Sequence, residues 1–189
     1  MALYTGKGDG GTTKVFDSKD RIPKSSELPE ALGSLDELNS FVGLAKVRAR
    51  QVQDSGVSIG GKACSTSEIL FTVQETLFII QAEVAGAGKS VEEAKVKWVE
   101  AVIHAIEKEI PPITTFTIAG GTELAALLDV ARTLARRAER RVVAVENTGA
   151  RALSASTRAY LNRLSSLLFA LARLANFKSG IKEESPSYT

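Results

Sequence analysis

The stretch Thr122–Glu146, TELAALLDVARTLARRAERRVVAVE, decides the fold of this chain. Its first residue is a good helix N-cap, and its apolar residues recur at intervals of three and four, the spacing of one helical face. These residues are Leu124, Leu127, Leu128, Ala131, Leu134, Ala135, Ala138, Val142 and Val145. A long helix with such a stripe must bury it against other elements, so the stretch predicts a helix packed among other helices.

Four further segments show helical patterns. In chain order these are a helix after Pro29 with a capping box at Ser34–Glu37, a helix over 67–84, a helix from a capping box at Ser90–Glu93 to before Pro111, and a helix capped by Thr157 that ends near Lys178. Strand signals are few. We therefore predict an all-α fold, a five-helix up-and-down bundle of the ferritin-like kind with an irregular, glycine-rich N-terminal arm.

The chain is expected to form a single domain over 1–189. The arm would cover 1–26, with a short strand near Val15–Phe16, and the bundle would cover 27–178. Residues 50–64 are expected to form a mobile loop, and 114–119 form a short β-branched stretch. The polar segment 179–189 is expected to be a disordered tail.

Composition narrows the function classes. The 189 residues are 44% hydrophobic and carry a formal net charge of +2, so the surface as a whole is not a nucleic-acid coat and any anion site must be local. Cys64 is the only cysteine, which excludes an internal disulfide and fits a reducing compartment. Without an apolar run of about 20 residues, the expected location is the cytoplasm.

Arginines crowd one side of the Thr122–Glu146 helix. Arg132, Arg136, Glu139 and Arg140 share a face at i, i+4, i+7 and i+8. A solvated charged face is the ordinary explanation of such a pattern. However, the run 132–141 holds five arginines and no lysine, and arginine is the residue that binds phosphate and carboxylate with a planar fork.

Two other features bear on chemistry. Asn162 lies within the last helix, where an asparagine needs a partner, and an interhelical hydrogen bond and a ligand contact remain equally open. Gly6–Gly11 reads GKGDGG and matches G-x-G-x-x-G, but no βαβ unit surrounds it, and no Gly-Lys-Ser/Thr triplet follows as in a P-loop. What remains is an arm rich in backbone donors, which with the arginines suggests a nucleoside triphosphate site. His104 and Cys64 lack the neighbours that a metal site or a nucleophile needs.

Four motifs together resemble one family, the ATP:cob(I)alamin adenosyltransferases of the propanediol-utilisation type. They are Tyr4–Thr13, similar to Y-T-x-x-G-D-x-G-x-T; Gly33–Ser40, similar to G-x-x-D-E-L-N-S; the central run Gly120–Thr122 with Ala131–Thr133 and Arg136–Arg140; and Tyr160–Phe169 with Ala172–Arg173. The motifs occur in the family's order across nearly the whole chain.

The resemblance implies a cobalamin adenosyltransferase-like five-helix bundle that forms a homotrimer with active sites between subunits. It implies transfer of the 5′-deoxyadenosyl group from Mg²⁺-bound ATP to the cobalt of cob(I)alamin, the corrinoid substrate, with release of triphosphate. The ATP-binding residues that it implies are Thr5, Gly6, Lys7, Gly8, Thr13, Lys14, Lys24, Arg136, Arg137, Glu139, Arg140 and Asn162. The corrinoid would contact Phe116 and Phe169, and Asp36 would pair with Arg132 between subunits. The catalytic residues that the resemblance implies are Asp36, Arg132 and Phe116. A cobalamin reductase and an adenosylcobalamin-dependent mutase are the implied partners, with no nucleic acid or membrane.

Three positions depart from the family's pattern. Asp129 stands where a histidine is common, Ser166 replaces an aspartate, and Ala119 replaces a proline. Two other functions compete with the enzyme: a non-catalytic carrier or sensor of adenosylcobalamin, and a helical RNA-binding protein that uses 132–141. The complete arm Thr5–Lys14 argues against the carrier, and the absence of aromatic residues among the arginines argues against RNA binding.

Overall fold

The computed structural model describes residues 2–16, 19–52 and 56–188. Within them the chain forms five helices: α1 (Glu27–Gln51), α2 (Thr66–Ala85), α3 (Glu93–Glu109), α4 (Glu123–Asn147) and α5 (Ala155–Lys178). The strands β1 (Thr12–Lys14) and β2 (Arg21–Pro23) pair antiparallel, as do β3 (Val57–Ile59) and β4 (Lys62–Cys64). The predicted all-α bundle of five helices is confirmed.

The stretch Thr122–Glu146 forms the centre of the bundle. α4 packs on α1 and α5, α1 also packs on α2, and α5 also packs on α3. Thr122 caps α4 as predicted, since its hydroxyl accepts a hydrogen bond from the Ala125 amide at 3.1 Å. Ala131, Ala135 and Ala138 on the apolar stripe are wholly buried. Because their side chains are small, α4 packs close to its neighbours, and this packing fixes the rotation of α4 about its own axis.

Three predicted helix starts are wrong. α1 begins at Glu27, with Pro29 in its first turn, and buries Ser34 in mid-helix, so Ser34–Glu37 is not an N-terminal capping box. α3 begins at Glu93 with Glu92 as N-cap and no side-chain cap bond, while Val91 of the expected box is buried in the core. In both cases the burial of apolar residues in the core, rather than the capping motif, determines where the helix starts.

The start of α5 differs for a different reason. Ser154 is the N-cap, and its hydroxyl accepts from the Thr157 amide at 3.1 Å. Thr157 is buried one turn inside the helix and donates its hydroxyl to the carboxylate of Glu83, near the end of α2. The same carboxylate accepts from the Ser154 amide at 2.6 Å, so a buried acid from α2 ties down the first turn of α5.

The expected loop over 50–64 contains ordered structure. β3 and β4 form a hairpin whose two-residue turn is Gly60–Gly61, with φ of 58° and 81°. Positive φ at both turn residues is the geometry that a tight hairpin requires, and glycine adopts it without strain. Residues 53–55 lie outside the described part of the chain. Near the N-terminus the strand is 12–14 rather than Val15–Phe16, and 114–119 forms no strand.

The segment after α5 contacts the rest of the fold. The carboxylate of Glu183 accepts from Arg173 at 3.0 Å, and Glu184 accepts from the Ile118 amide at 2.8 Å through its main-chain oxygen. The hydroxyls of Ser185 and Thr115 lie 2.8 Å apart. The boundaries of arm, bundle and tail stay predictions, but these contacts are not those of a wholly disordered tail.

Candidate functional site

The five arginines of α4 divide into two groups. Three are paired within the chain: Arg132 with Asp129 at 3.2 Å, Arg137 with Glu37, and Arg141 with Glu30 at 3.4 Å. Arg136 and Arg140, one turn apart, are exposed and form no hydrogen bond or ion pair with any residue that the structure describes. Two adjacent guanidiniums with all their donors free can bind a polyanion.

Glu139 and Asn162 meet beside these free arginines. The Asn162 side-chain amide donates to Glu139 Oε1 at 3.2 Å, and its Oδ1 accepts from Arg163 at 3.2 Å. The contact joins α4 to α5, which is the interhelical hydrogen bond that the sequence left open for Asn162. It also places a carboxylate next to Arg136 and Arg140 on an exposed face.

Arg132 lies toward α5, where it contacts both a carboxylate and an aromatic ring. Its Nε donates to Asp129 Oδ1, and its guanidinium carbon is 5.9 Å from the centre of the Phe169 ring, within cation–π range. Asp129 is itself buried, with 9% of its surface exposed. In the sequence Asp129 stands out only as a departure from the family's pattern, but its position three residues before Arg132 is the signal that could have predicted the pair.

Asp36 is not joined to Arg132 within this chain. It is exposed on α1, at a shallow groove between α1 and α2 that Phe78 and Gln81 also line. Phe78 is unusually open for an aromatic residue, with 64% of its surface exposed. The pairing of Asp36 with Arg132 across subunits stays a prediction.

The N-terminal arm forms two tight turns just before β1, and one further backbone bond extends the pairing of β1 with β2. The Asp9 amide donates to Gly6 O, the Gly11 amide to Gly8 O, and the Lys24 amide to Gly11 O. A Cβ at Gly8 would lie 3.0 Å from Lys24 Nζ, so glycine there lets the lysine approach the backbone. Thus Gly8 and Lys24, sixteen positions apart in the sequence, are neighbours in the fold.

The other arm residues predicted to bind ATP do not lie together in a single group. Thr5, Gly6 and Lys7 are exposed, while Thr13 and Lys14 lie in β1 opposite Ile22 and Arg21. Among the described residues no hydrogen bond or ion pair connects the arm to Arg136 or Arg140. Within this chain the structure therefore forms two separate parts of the predicted ATP site.

Phe116 stands on an irregular segment between α3 and α4 and is 79% exposed. The Arg173 Nη2 donates to Pro111 O at 3.1 Å at one end of this segment. At the other end the Asn176 side chain donates to Gly120 O at 2.9 Å and accepts from the Thr122 amide at 2.9 Å. A role for Asn176 was not predicted from the sequence, although an asparagine within a helix needs a hydrogen-bond partner, as at Asn162.

Two titratable groups outside this face are unsuited to acid–base work or nucleophilic attack. Tyr160 is wholly buried on α5, and this burial raises the pKa of its phenol to about 12. Burial also raises the pKa of the Cys64 thiol. The described residues include no cluster of three or more His, Cys, Asp or Glu side chains that could hold a metal ion. None of the helices in the described part is long and apolar enough to span a bilayer.

Comparisons with known proteins identify the family of this chain. The family model described as cobalamin adenosyltransferase matches residues 3–175. The corrinoid adenosyltransferase of Bacillus subtilis (strain 168) is 39% identical over 185 residues, covering 96% of this chain and 90% of that protein. The human corrinoid adenosyltransferase MMAB is 32% identical over 192 residues, covering 96% and 72%.

A solved structure gives the same result. It is a variant of the PduO-type ATP:corrinoid adenosyltransferase from Lactobacillus reuteri complexed with cobalamin and ATP, with a TM-score of 0.83 and 30% identity. The match covers 98% of this chain and 97% of that chain. The family model, the relatives and the shared fold lead to one conclusion: this chain belongs to the cobalamin adenosyltransferase family, in its PduO-type branch.

Proposed function

We propose that this chain transfers the 5′-deoxyadenosyl group of ATP to the cobalt of cob(I)alamin, with the arginine face of α4 holding the triphosphate. The observation that carries this proposal is the free pair Arg136 and Arg140 beside Glu139 and Asn162, in a helix whose other three arginines are already paired. A structural charged face would have its guanidiniums matched by carboxylates, and these two have none among the described residues.

The reaction needs little from the protein in the way of proton transfer. The cobalt of cob(I)alamin supplies an electron pair to C5′ of ATP, the C5′–O5′ bond breaks, and triphosphate leaves with the electrons of that bond. The protein must align C5′ with cobalt and stabilise the negative charge on the departing triphosphate. Arg136 and Arg140 suit the second task, since their donors have no partner among the described residues and both side chains stand on a rigid helix.

The arm would supply the remaining ATP contacts. Lys7, Lys14 and Lys24 bring positive charge, and the glycine turns at Gly6 and Gly8 would let a ligand approach the backbone. Because no contact in the described part of the chain joins the arm to Arg136 or Arg140, we propose that the two parts meet when a second copy of the chain is present. The implied homotrimer would provide this arrangement, with Asp36 on α1 facing Arg132 of a neighbour.

Mg²⁺ would accompany ATP. Magnesium is usually held by substrate phosphates, water and one or two carboxylates, and Glu139 is the carboxylate available on the arginine face. The residues therefore fit a metal held mainly by the triphosphate, where it would add positive charge at the leaving group.

Phe116 and Phe169 would face the corrinoid. Phe116 is exposed and apolar, as expected of a wall that covers a ligand face, and Phe169 lies under the Arg132 guanidinium. An apolar wall can exclude the lower axial ligand of cobalt, and four-coordinate Co(II) is easier to reduce to Co(I). A cytoplasmic location, a reductase and a mutase partner complete the proposal.

The experiment is an anaerobic assay with chemically reduced cobalamin, ATP and Mg²⁺. Loss of the cob(I)alamin absorbance with formation of adenosylcobalamin and one equivalent of triphosphate is expected. Tight binding of adenosylcobalamin without turnover would instead identify a carrier, and no product under these conditions would overturn the proposal.

A further inference from the structure

We infer that Arg173 and Asn176, one turn apart on α5, are positioning residues that hold both ends of the Phe116 segment (residues 111–122), and that Glu183–Ser185 hold its middle. The inference rests on the proposed corrinoid role of Phe116. It assigns roles to α5 and to the segment after it that go beyond binding ATP or corrinoid directly.

The two ends of the Phe116 segment are fixed by charge-assisted and buried contacts. Arg173 donates from Nη2 to Pro111 O at 3.1 Å, and from Nε to the Glu183 carboxylate at 3.0 Å. Both partners of this ion pair are largely shielded, with 11% and 22% of their side chains exposed, so solvent weakens it less than a surface pair. Arg173 therefore links the start of the segment to the tail.

Asn176 fixes the other end. It is buried and binds Gly120 O and the Thr122 amide at once, next to the N-cap of α4. Gly121 has φ of 97°, and a Cβ at that position would lie 2.4 Å from Asn176 Oδ1. Glycine is thus required there both for the left-handed backbone and for the close approach of Asn176.

The middle of the segment is held on both sides of Phe116. The Thr115 hydroxyl meets the Ser185 hydroxyl at 2.8 Å, and the Ile118 amide donates to Glu184 O at 2.8 Å. Between these contacts Phe116 has no cover of its own and is 79% exposed. A cavity of about 430 Å³ lies between the tail and the start of the segment, so these few polar contacts, rather than dense packing, hold the backbone on both sides of Phe116.

The consequence is a division of labour along α5. Asn162 binds Glu139 beside the arginines of α4, and Phe169 lies under Arg132. Arg173 and Asn176 hold the two ends of the Phe116 segment in position along α5. One rigid helix therefore fixes the distance between the proposed triphosphate site and the proposed corrinoid wall. Precise spacing of this kind is what in-line transfer requires.

The test compares Glu183→Gln, Arg173→Lys and Phe116→Ala with the wild-type protein. Glu183→Gln weakens the ion pair without changing size, and Arg173→Lys keeps the charge but cannot reach Pro111 O and Glu183 together. Glu109→Gln is the matched control, since it removes the acid that pairs with Lys178 of α5 at 2.8 Å and touches no residue of 111–122 in the described contacts. Thermal melting monitors folding throughout.

The measurements are KM for corrinoid, KM for ATP, the electron paramagnetic resonance signal of four-coordinate Co(II), and amide exchange at Ile118. For Glu183→Gln and Arg173→Lys we expect KM for corrinoid to rise about ten-fold, as for the loss of one charge-assisted hydrogen bond, while KM for ATP changes less than about two-fold. The four-coordinate signal should fall and the Ile118 amide should exchange faster, with the control unchanged.

The outcomes separate this inference from the proposed function. If Phe116→Ala impairs corrinoid use and the two positioning variants do not, the inference is overturned and the role of Phe116 stands. If Phe116→Ala has no effect, the corrinoid role of Phe116 fails and the inference fails with it. Equal rises in both KM values, or a matching loss in the control, would indicate general destabilisation and would also overturn the inference.

Discussion

Two polar clusters in this molecule differ in how far their hydrogen-bonding groups are satisfied within the chain. At the α2–α5 junction the buried carboxylate of Glu83 is fully engaged by Ser154 and Thr157 of the same chain. On the exposed face of α4, Arg136 and Arg140 have no partner in the described part of the chain. Polar groups that fold into saturated contacts stabilise the fold, whereas groups left with free donors on a rigid element are available to a ligand.

The largest effect on activity is expected from Arg136 and Arg140, the cluster without partners in the described part of the chain. Arg136→Ala should lower kcat/KM for ATP about 1,000-fold, because it removes positive charge from the departing triphosphate. Steady-state kinetics with pre-reduced cobalamin measures this, and the melting temperature should stay within a few degrees of wild type. Near wild-type kinetics would remove Arg136 from the triphosphate site and erase the contrast between the clusters.

In the cluster of Glu83, Ser154 and Thr157, a substitution should lower stability and leave ATP kinetics unchanged. Glu83→Ala leaves the half-buried Ser154 amide and the fully buried Thr157 hydroxyl without their acceptor, so the free energy of unfolding should fall by about 3 kcal/mol. Urea denaturation measures this change. At a temperature where the variant is folded, KM for ATP should be unchanged; a rise in KM without loss of stability would show that Glu83 acts on the site.

Phe116 offers a third case, an apolar side chain with free surface. Phe116→Ala should lower the rate from Co(II) about ten-fold more than the rate from pre-reduced Co(I), since an apolar wall matters for excluding the axial ligand and less for alkylation. Parallel assays with and without chemical reduction measure the ratio. Equal losses in the two assays would contradict ligand exclusion.

The smallest effect is expected from Arg141, one of the α4 arginines that are already paired at the surface. Arg141→Ala breaks an ion pair with Glu30 in which both side chains are about half exposed, and such pairs contribute less than about 1 kcal/mol. Both kcat/KM and urea stability should remain close to wild type. A large kinetic loss would mean that Arg141, despite its partner, belongs with Arg136 and Arg140.

Much of the fold follows from periodicity in the sequence. The apolar stripe of α4, its Thr122 cap and the helix over 67–84 depend on local patterns and are reproduced in the structure. The capping boxes at Ser34 and Ser90 are wrong because a local motif carries no information on which face will be buried. Thr157 looks like a cap for the same reason, yet its partner Glu83 is 74 positions away.

The site divides in the same way. That the arginines share a face follows from helical spacing, but which of them remain free depends on Glu37 and Glu30 of α1, acids that α1–α4 packing brings near. The contact of Arg132 with Asp129 was within reach of the sequence, whereas its approach to Phe169 needed the packing of α4 on α5. The proposed meeting of Asp36 with Arg132 depends on a second chain and remains a prediction.

The alanines of α4 have a consequence for how this enzyme can vary. Ala131, Ala135 and Ala138 are wholly buried, so any larger side chain would push the helix away from its neighbours. Rotation of the helix about its axis would also move Arg136 and Arg140 away from the exposed face that they share. Substitutions in α4 that keep both this packing and the arginine pair are therefore confined to its other outward positions, and changes in substrate preference are expected in the arm and around Phe116, where a change in length or side chain leaves the bundle intact.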